Sequence, residues 1–109
     1  MRQAGIIAAA GLHALEHHHS DLAHDHRRAR HLAAALNGMA SVRMDLGRVE
    51  TNIIYFDVPE RDAAEICQAL NSTVRVLPVG PSSIRAVMHR DIDDELLQRA
   101  IDAFAEVLD

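Results

Sequence analysis

The sequence predicts an α+β fold, with a small antiparallel sheet that has helices on one face and follows a long N-terminal helical segment. Three observations predict it: a proline-free opening rich in Ala and Leu, short segments of alternating polarity, and later segments with helical periodicity. Their order is helix, two strands, helix, two strands, helix. We expect a single domain over residues 1–109, composed of a helical segment (1–37) and a small α+β part (38–109).

The opening helix is predicted over residues 3–36, where apolar side chains recur at helical spacing. A break is expected near His19 and Ser20, because consecutive histidines and a serine are mediocre helix formers. Asn37 and Gly38 are expected to end the helix, with Gly38 available for a left-handed C-cap. The predicted apolar stripe consists of Leu15, Leu22, Ala29, Ala33 and Leu36.

Two strands are predicted next. Residues 41–46 alternate between apolar and polar, which is typical of a half-buried strand, and residues 47–50 form a turn. Residues 52–58 form a second and more apolar strand. Because the two are close in sequence, we expect them to pair antiparallel.

The second half repeats this order with shorter elements. A helix is predicted from Pro59 to Asn71, then strands over 73–77 and 84–88 separated by a loop, then a final helix capped by Asp91. The alternation in the last strand places Ile84, Ala86 and Met88 on one face and Arg85, Val87 and His89 on the other. The predicted buried positions are Ala63, Ile66, Cys67 and Leu70 in the first of these helices, and Leu97, Ala100, Ile101, Phe104 and Leu108 in the last.

Composition narrows the functional classes. The formal net charge of −5 argues against nucleic acid, which selects basic surfaces. The longest apolar run, residues 6–12, is too short to span a bilayer, so no membrane partner is expected. Cys67 is the only cysteine, which predicts a buried, inert thiol and fits a reducing, cytoplasmic location.

Several collinear segments together resemble a known family. These are 1–5, 8–12, 14–18, 22–23, 25–26, 50–54, 84–89 and Asp91. In the same order and with similar spacing, they resemble the C-terminal domain of the low-specificity L-threonine aldolases. The resemblance implies the small domain of an aspartate-aminotransferase-like enzyme of fold type I. It also implies pyridoxal phosphate as cofactor and the cleavage of a β-hydroxy-α-amino acid to glycine and an aldehyde.

The resemblance meets a chemical obstacle within this chain. In that family the cofactor forms a Schiff base with a lysine. All 11 basic residues here are arginines, and the sequence contains no lysine. We therefore expect the chain to lack the large cofactor-binding domain and to be inactive alone.

The resemblance also assigns candidate site residues. Arg85 matches the arginine that binds the substrate carboxylate, and Arg2 matches one near the cofactor phosphate. Thr51 and Asn52 either support the residues that contact the ligand, without contacting it themselves, or simply form a polar start to a strand. His89 is expected to support the start of the last helix, and no metal ligand is predicted.

Two other interpretations remain open at this level. The apolar start of the chain, with Ile6, Ile7 and Leu12, needs cover, which favours a self-associating remnant or a missing large-domain partner. A histidine stripe raises the alternative of a metal-binding protein, because an i, i+4 pair can bind a transition metal. The stripe consists of His13, His17, His24 and His31. No turn of the helix brings these four side chains together, however.

Overall fold

The computed structural model describes all 109 residues, as four helices and a three-stranded sheet. The helices are α1 (Ala4–His17), α2 (Asp21–Asn37), α3 (Ala63–Leu70) and α4 (Asp94–Leu108), and a 3₁₀ turn spans Leu46–Arg48. The strands are β1 (Ile53–Asp57), β2 (Leu77–Pro78) and β3 (Ser83–Val87). None of the helices has the length and apolar character needed to cross a membrane.

The sheet has the order β1–β3–β2, and both neighbouring pairs are antiparallel. Its core-facing side chains are Ile54, Phe56, Ile84 and Ala86, all of them buried. The intervening residues Tyr55 and Val87 are exposed on the other face. The predicted fold class, a small antiparallel sheet with helices on one face, is therefore confirmed.

The core lies between this sheet and helices α2, α3 and α4. The ring of Phe104 meets that of Phe56 edge-on, at 5.8 Å between centroids. Leu32 and Leu36 of α2 are also fully buried, and each such side chain contributes about 1.5–3 kcal/mol through removal from water. The predicted buried positions of α3 are confirmed, and in α4 Leu97, Phe104 and Leu108 are buried while Ala100 and Ile101 are half-buried.

The predicted break in the opening helix is confirmed. Helix α1 ends at His17 and α2 begins at Asp21, with a turn between them. The expected left-handed cap at Gly38 is wrong, because its φ of −79° is right-handed. The amide of Gly38 still donates to the carbonyls of Ala35 and Leu36. The predicted stripe is also only partly buried, since Leu15 and Leu22 are exposed and burial begins further along the helix.

The predicted strand over 41–46 is wrong except at one position. Arg43 forms an isolated antiparallel bridge with Asp57, so the expected antiparallel pairing with residues 52–58 is present at this one residue pair only. The chain then leaves the sheet, because the Asp45 carboxylate accepts a hydrogen bond from the amide of Gly47 and begins the 3₁₀ turn. Leu46, an apolar residue of that predicted half-buried strand, is consequently exposed.

Three boundaries in the second half also differ from prediction. Helix α3 begins at Ala63, since Asp62 accepts hydrogen bonds from two amides of its first turn. Helix α4 is capped by Asp93 and not Asp91, because the Asp93 carboxylate accepts from the amide of Leu96. The strand expected over 73–77 is reduced to β2, because residues 73 and 74 donate back to Leu70 and so prolong the end of α3.

Helix α1 projects from this body. None of its residues is buried, and the whole molecule measures 48 × 28 × 28 Å. The helix is apolar around its whole circumference: among its 14 residues only His13, Glu16 and His17 are polar or charged. A helix of that kind is normally buried in a larger structure.

Candidate functional site

Arg85 lies at the centre of the sheet face that no helix covers. It is on the middle strand, with Tyr55 of β1 and Leu77 of β2 directly opposite it on either side. The side chain is half-buried, and its Nε atom is inaccessible to solvent and has no hydrogen-bond partner. A buried donor without a partner costs free energy, so the fold gains no stability from this atom.

The guanidinium of Arg85 is also free of ion pairs. No carboxylate of the chain lies within salt-bridge distance of it, although the chain has 16 acidic residues. Its positive charge is therefore uncompensated on an open surface. A planar fork of N–H donors in this state is suited to a bidentate carboxylate.

Asn52 ties the start of β1 to the end of β3, just beyond Arg85. Its side-chain Nδ2 donates to the carbonyl of Met88 at 2.6 Å, and the amide of Met88 donates to the carbonyl of Asn52 at 2.8 Å. Thr51 makes a local contact only, since its Oγ1 accepts from the amide of Ile53 at 3.2 Å. Of the two, Asn52 therefore has the direct contact with the segment that carries Arg85.

His89 follows β3 and is exposed. Its carbonyl accepts from the amide of Ile92 at 2.9 Å, and its Nδ1 lies 3.8 Å from a carboxylate oxygen of Asp91. The residue thus lies in the turn that leads to α4.

Arg2 does not join Arg85 in this structure. It lies beyond the exposed end of α1, next to Gln3, whose φ of 57° is left-handed. Its side chain makes no hydrogen bond or ion pair. Because α1 rises about 21 Å over its length and buries nothing, the tertiary structure supplies no surface that would hold Arg2 near the sheet.

The two groups with clearly shifted pKa values lie elsewhere. The hydrogen bond from Arg28, with the nearby charge of Arg27, lowers the pKa of Asp94 at the start of α4. Burial raises the pKa of the Cys67 thiol in α3, which disfavours its reactive thiolate form. Neither group makes a hydrogen bond or ion pair with Arg85.

Two features of the structure were not identified from the sequence. Tyr55 and Leu77 flank Arg85, and only the strand register could reveal that. Asp25 is 6% exposed, with its Oδ1 unpartnered, although it is a charged residue with Arg27 and Arg28 close by in sequence. The signal available for Asp25 was its helical spacing from the buried Ala29, four residues later.

The histidine stripe is exposed along α1 and α2. The rings of His13 and His17 stack with centroids 4.2 Å apart, and His17 Nδ1 contacts the carbonyl of His13 at 3.0 Å. No set of three or more His, Cys, Asp or Glu side chains is grouped so that it could hold a metal ion.

Comparisons with known sequences place these observations in a family. Residues 1–59 match the family model of the beta-eliminating lyases. The chain is 39% identical over 98% of its length to a probable low-specificity L-threonine aldolase 2 of Arabidopsis thaliana, and 34% identical over 99% to the low-specificity L-threonine aldolase 1 of the same plant. It is 35% identical over 89% of its length to the low specificity L-threonine aldolase of Escherichia coli.

The chain spans about a third of these relatives, 31% of either plant protein and 28% of the bacterial one. Among solved structures it resembles the cystine C-S lyase C-DES. The match to a mutant with glycine covalently linked to the PLP cofactor has a TM-score of 0.74 at 22% identity, and covers 95% of this chain and 28% of that one. The match to the complex with cysteine persulfide has the same score and identity. Since the family model matches more than half of its residues, this chain belongs to the beta-eliminating lyase family.

Proposed function

We propose that this chain supplies the substrate-carboxylate side of a PLP-dependent aldehyde-lyase that resembles L-threonine aldolase. The reaction would cleave a β-hydroxy-α-amino acid to glycine and an aldehyde. The single observation that carries the proposal is that the Arg85 side chain is half-buried on the open face of the sheet and has no polar partner at Nε. The sequence relatives named as threonine aldolases support the substrate class.

The chemistry of Arg85 fits this role. A guanidinium holds an amino-acid carboxylate through two parallel hydrogen bonds, which fixes the rotation of the substrate about its Cα. That rotation decides which Cα bond is aligned for cleavage. Tyr55 and Leu77 on either side restrict the directions from which a carboxylate can reach Arg85.

The rest of the cofactor site is not formed by these residues. When bound, pyridoxal phosphate would stabilise the carbanion that forms at Cα, but it needs a lysine for its Schiff base. The 109 residues contain none, and Arg2, matched to the phosphate contact, is held by nothing in this structure. We therefore assign the covalent attachment of the cofactor to another polypeptide segment, and no catalytic step to this chain alone.

The exposed helix α1 supports the existence of a partner. Ile6 is 73% exposed and Leu15 is 67% exposed, on a helix that is apolar around its circumference. Cover could come from a large domain or from a second copy of the chain. We infer a lysine-bearing segment in a reducing compartment such as the cytoplasm, and the unpaired, buried Cys67 is compatible with that location.

Native co-purification followed by mass spectrometry tests this proposal. We expect a lysine-bearing, PLP-binding polypeptide to accompany the chain, and the assembly to cleave L-threonine. In that assembly Arg85→Lys should lower kcat/KM about 10- to 100-fold, since it removes a bidentate charged contact of about 1.5–3 kcal/mol. The matched control is Arg30→Lys, because Arg30 is exposed and makes no polar contact. An unchanged kcat/KM for Arg85→Lys would contradict the role of Arg85.

The exposed surface of α1 also favours a second candidate, a non-catalytic module that associates with itself. Recovery of the chain alone, as a stable homo-oligomer without aldolase activity, would favour this candidate. It would also contradict the catalytic proposal, since no lysine would then be available to the site.

A further inference from the structure

A cavity lies beside the end of β3, where segment 73–76 diverges from that strand. Its volume is about 260 Å³, and ten of its fourteen lining residues are hydrophobic. That volume lies between the ~150 Å³ of a cavity that accepts benzene and the ~300 Å³ of the smallest drug-sized sites. Arg85 does not line it.

The cavity exists because a strand pairing stops early. Leu77 is paired with Arg85, so continued pairing would place Arg75 opposite Val87. No backbone hydrogen bond joins residues 73–76 to β3, because residues 73 and 74 donate to Leu70 instead. The amide of Met88 is directed at β1, so by alternation the polar backbone groups of Val87 are directed at the open side.

The charge around this cavity has one sign. The ionisable side chains that line it are Arg75, Arg99 and His89, and no Asp or Glu does. The closest acid in contact with any of them is Asp91, 3.8 Å from His89. Arg75 and Arg99 make no ion pair or side-chain hydrogen bond, in a chain whose net charge is −5.

From this combination we propose a binding site for a small apolar carboxylate, such as an arylalkanoate. The apolar body enters between Val74, Ala100 and Phe104, and burial there removes it from water. The carboxylate remains at the rim, where Arg75 and Arg99 compensate its charge. The proposal is independent of the aldolase assignment, because it involves neither Arg85 nor the cofactor.

The test compares 3-phenylpropanoate with its neutral counterpart, 3-phenylpropanol, by titration of the folded chain with ¹⁵N–¹H NMR. We expect saturable shifts of the amides of Val74, Val76 and Ala100, with the carboxylate binding about fivefold more tightly than the alcohol. Arg99→Gln should lower that preference, because only Arg75 then remains to compensate the carboxylate. The matched control Arg30→Gln changes the net charge equally, at an exposed residue that does not line the cavity, and should retain the preference.

A further variant tests the cavity itself. Ala100 is half-buried and lines the cavity, so Ala100→Leu should fill the space and weaken binding of both compounds at least tenfold. Absence of saturable shifts, shifts away from the cavity, or equal affinity for the two compounds would overturn the proposal. So would shifts at these amides on raising the protein concentration alone, because a second copy would then be the occupant.

Discussion

Asn52 and Met88 hold each other by two hydrogen bonds, one from the Asn52 side chain at 2.6 Å and one from the Met88 backbone at 2.8 Å. The pair fixes the end of β3 three residues beyond Arg85. It is therefore the contact through which a polar residue at the start of β1 can affect the arginine. If Asn52 were only a polar residue at the start of a strand, this contact would not be needed.

Asn52→Ala should destabilise the fold by about 1 kcal/mol. The substitution leaves the carbonyl of the buried Met88 with one partner fewer, and a net hydrogen bond is worth about 0.5–1.5 kcal/mol. Chemical denaturation measures the change in the free energy of unfolding. The control is Asn71→Ala, since Asn71 is exposed just after α3 and its side chain makes no hydrogen bond. Equal effects of the two substitutions would contradict the prediction.

Arg85→Met should leave stability unchanged or raise it, by up to about 1 kcal/mol. Methionine keeps an apolar stem at the position between Tyr55 and Leu77 on the neighbouring strands, and removes a buried donor without a partner. The expected midpoint in urea is equal to or above that of the wild type. A clear loss of stability would show that Arg85 supports the fold itself, and would weaken its assignment to substrate binding.

Acid should weaken the contact between α2 and α4. The pKa of Asp94 is lowered by the hydrogen bond from Arg28 Nε, at 2.8 Å, and by the charge of Arg27. A group whose pKa is lowered in the folded state stabilises the fold at pH values above its ordinary pKa, which is about 4 for aspartate. This stabilisation is lost as the pH falls through the lowered pKa.

Asp94→Asn should therefore reduce the slope of stability against pH below about pH 4, and should leave the slope above pH 6 unchanged. Thermal denaturation across this range measures both slopes. Glu106→Gln is the control, because Glu106 is an exposed α4 carboxylate without a polar partner. A slope below pH 4 as steep in Asp94→Asn as in the wild type would contradict the role of Asp94.

The apolar surface of α1 should drive association. Sedimentation is expected to show at least a dimer, and Ile7→Glu should shift the equilibrium toward monomer, since a charge would have to be buried. The control is Ala23→Glu, which adds the same charge at an exposed position of α2. A monodisperse wild-type monomer at high concentration would contradict this prediction.

Local patterns in the sequence determined much of this protein. Helical periodicity identified the buried faces of α3 and α4, the poor helix formers at 18–20 located the break between α1 and α2, and strict alternation placed Arg85 on the face opposite the core. Collinear motifs indicated the family. These features are set by residues within a few positions of one another, which is the range over which periodicity is informative.

Only the tertiary structure decided how the strands pair. Segments 41–46 and 73–77 both have β character, yet the first contributes a single bridge at Arg43 and the second a single paired residue, Leu77. Local hydrogen bonds from Gly47 to Asp45 and from Val74 to Leu70 compete with the sheet at these points. Cross-strand neighbours such as Tyr55 and Arg85 depend on register over long sequence separations, and no local pattern encodes that register.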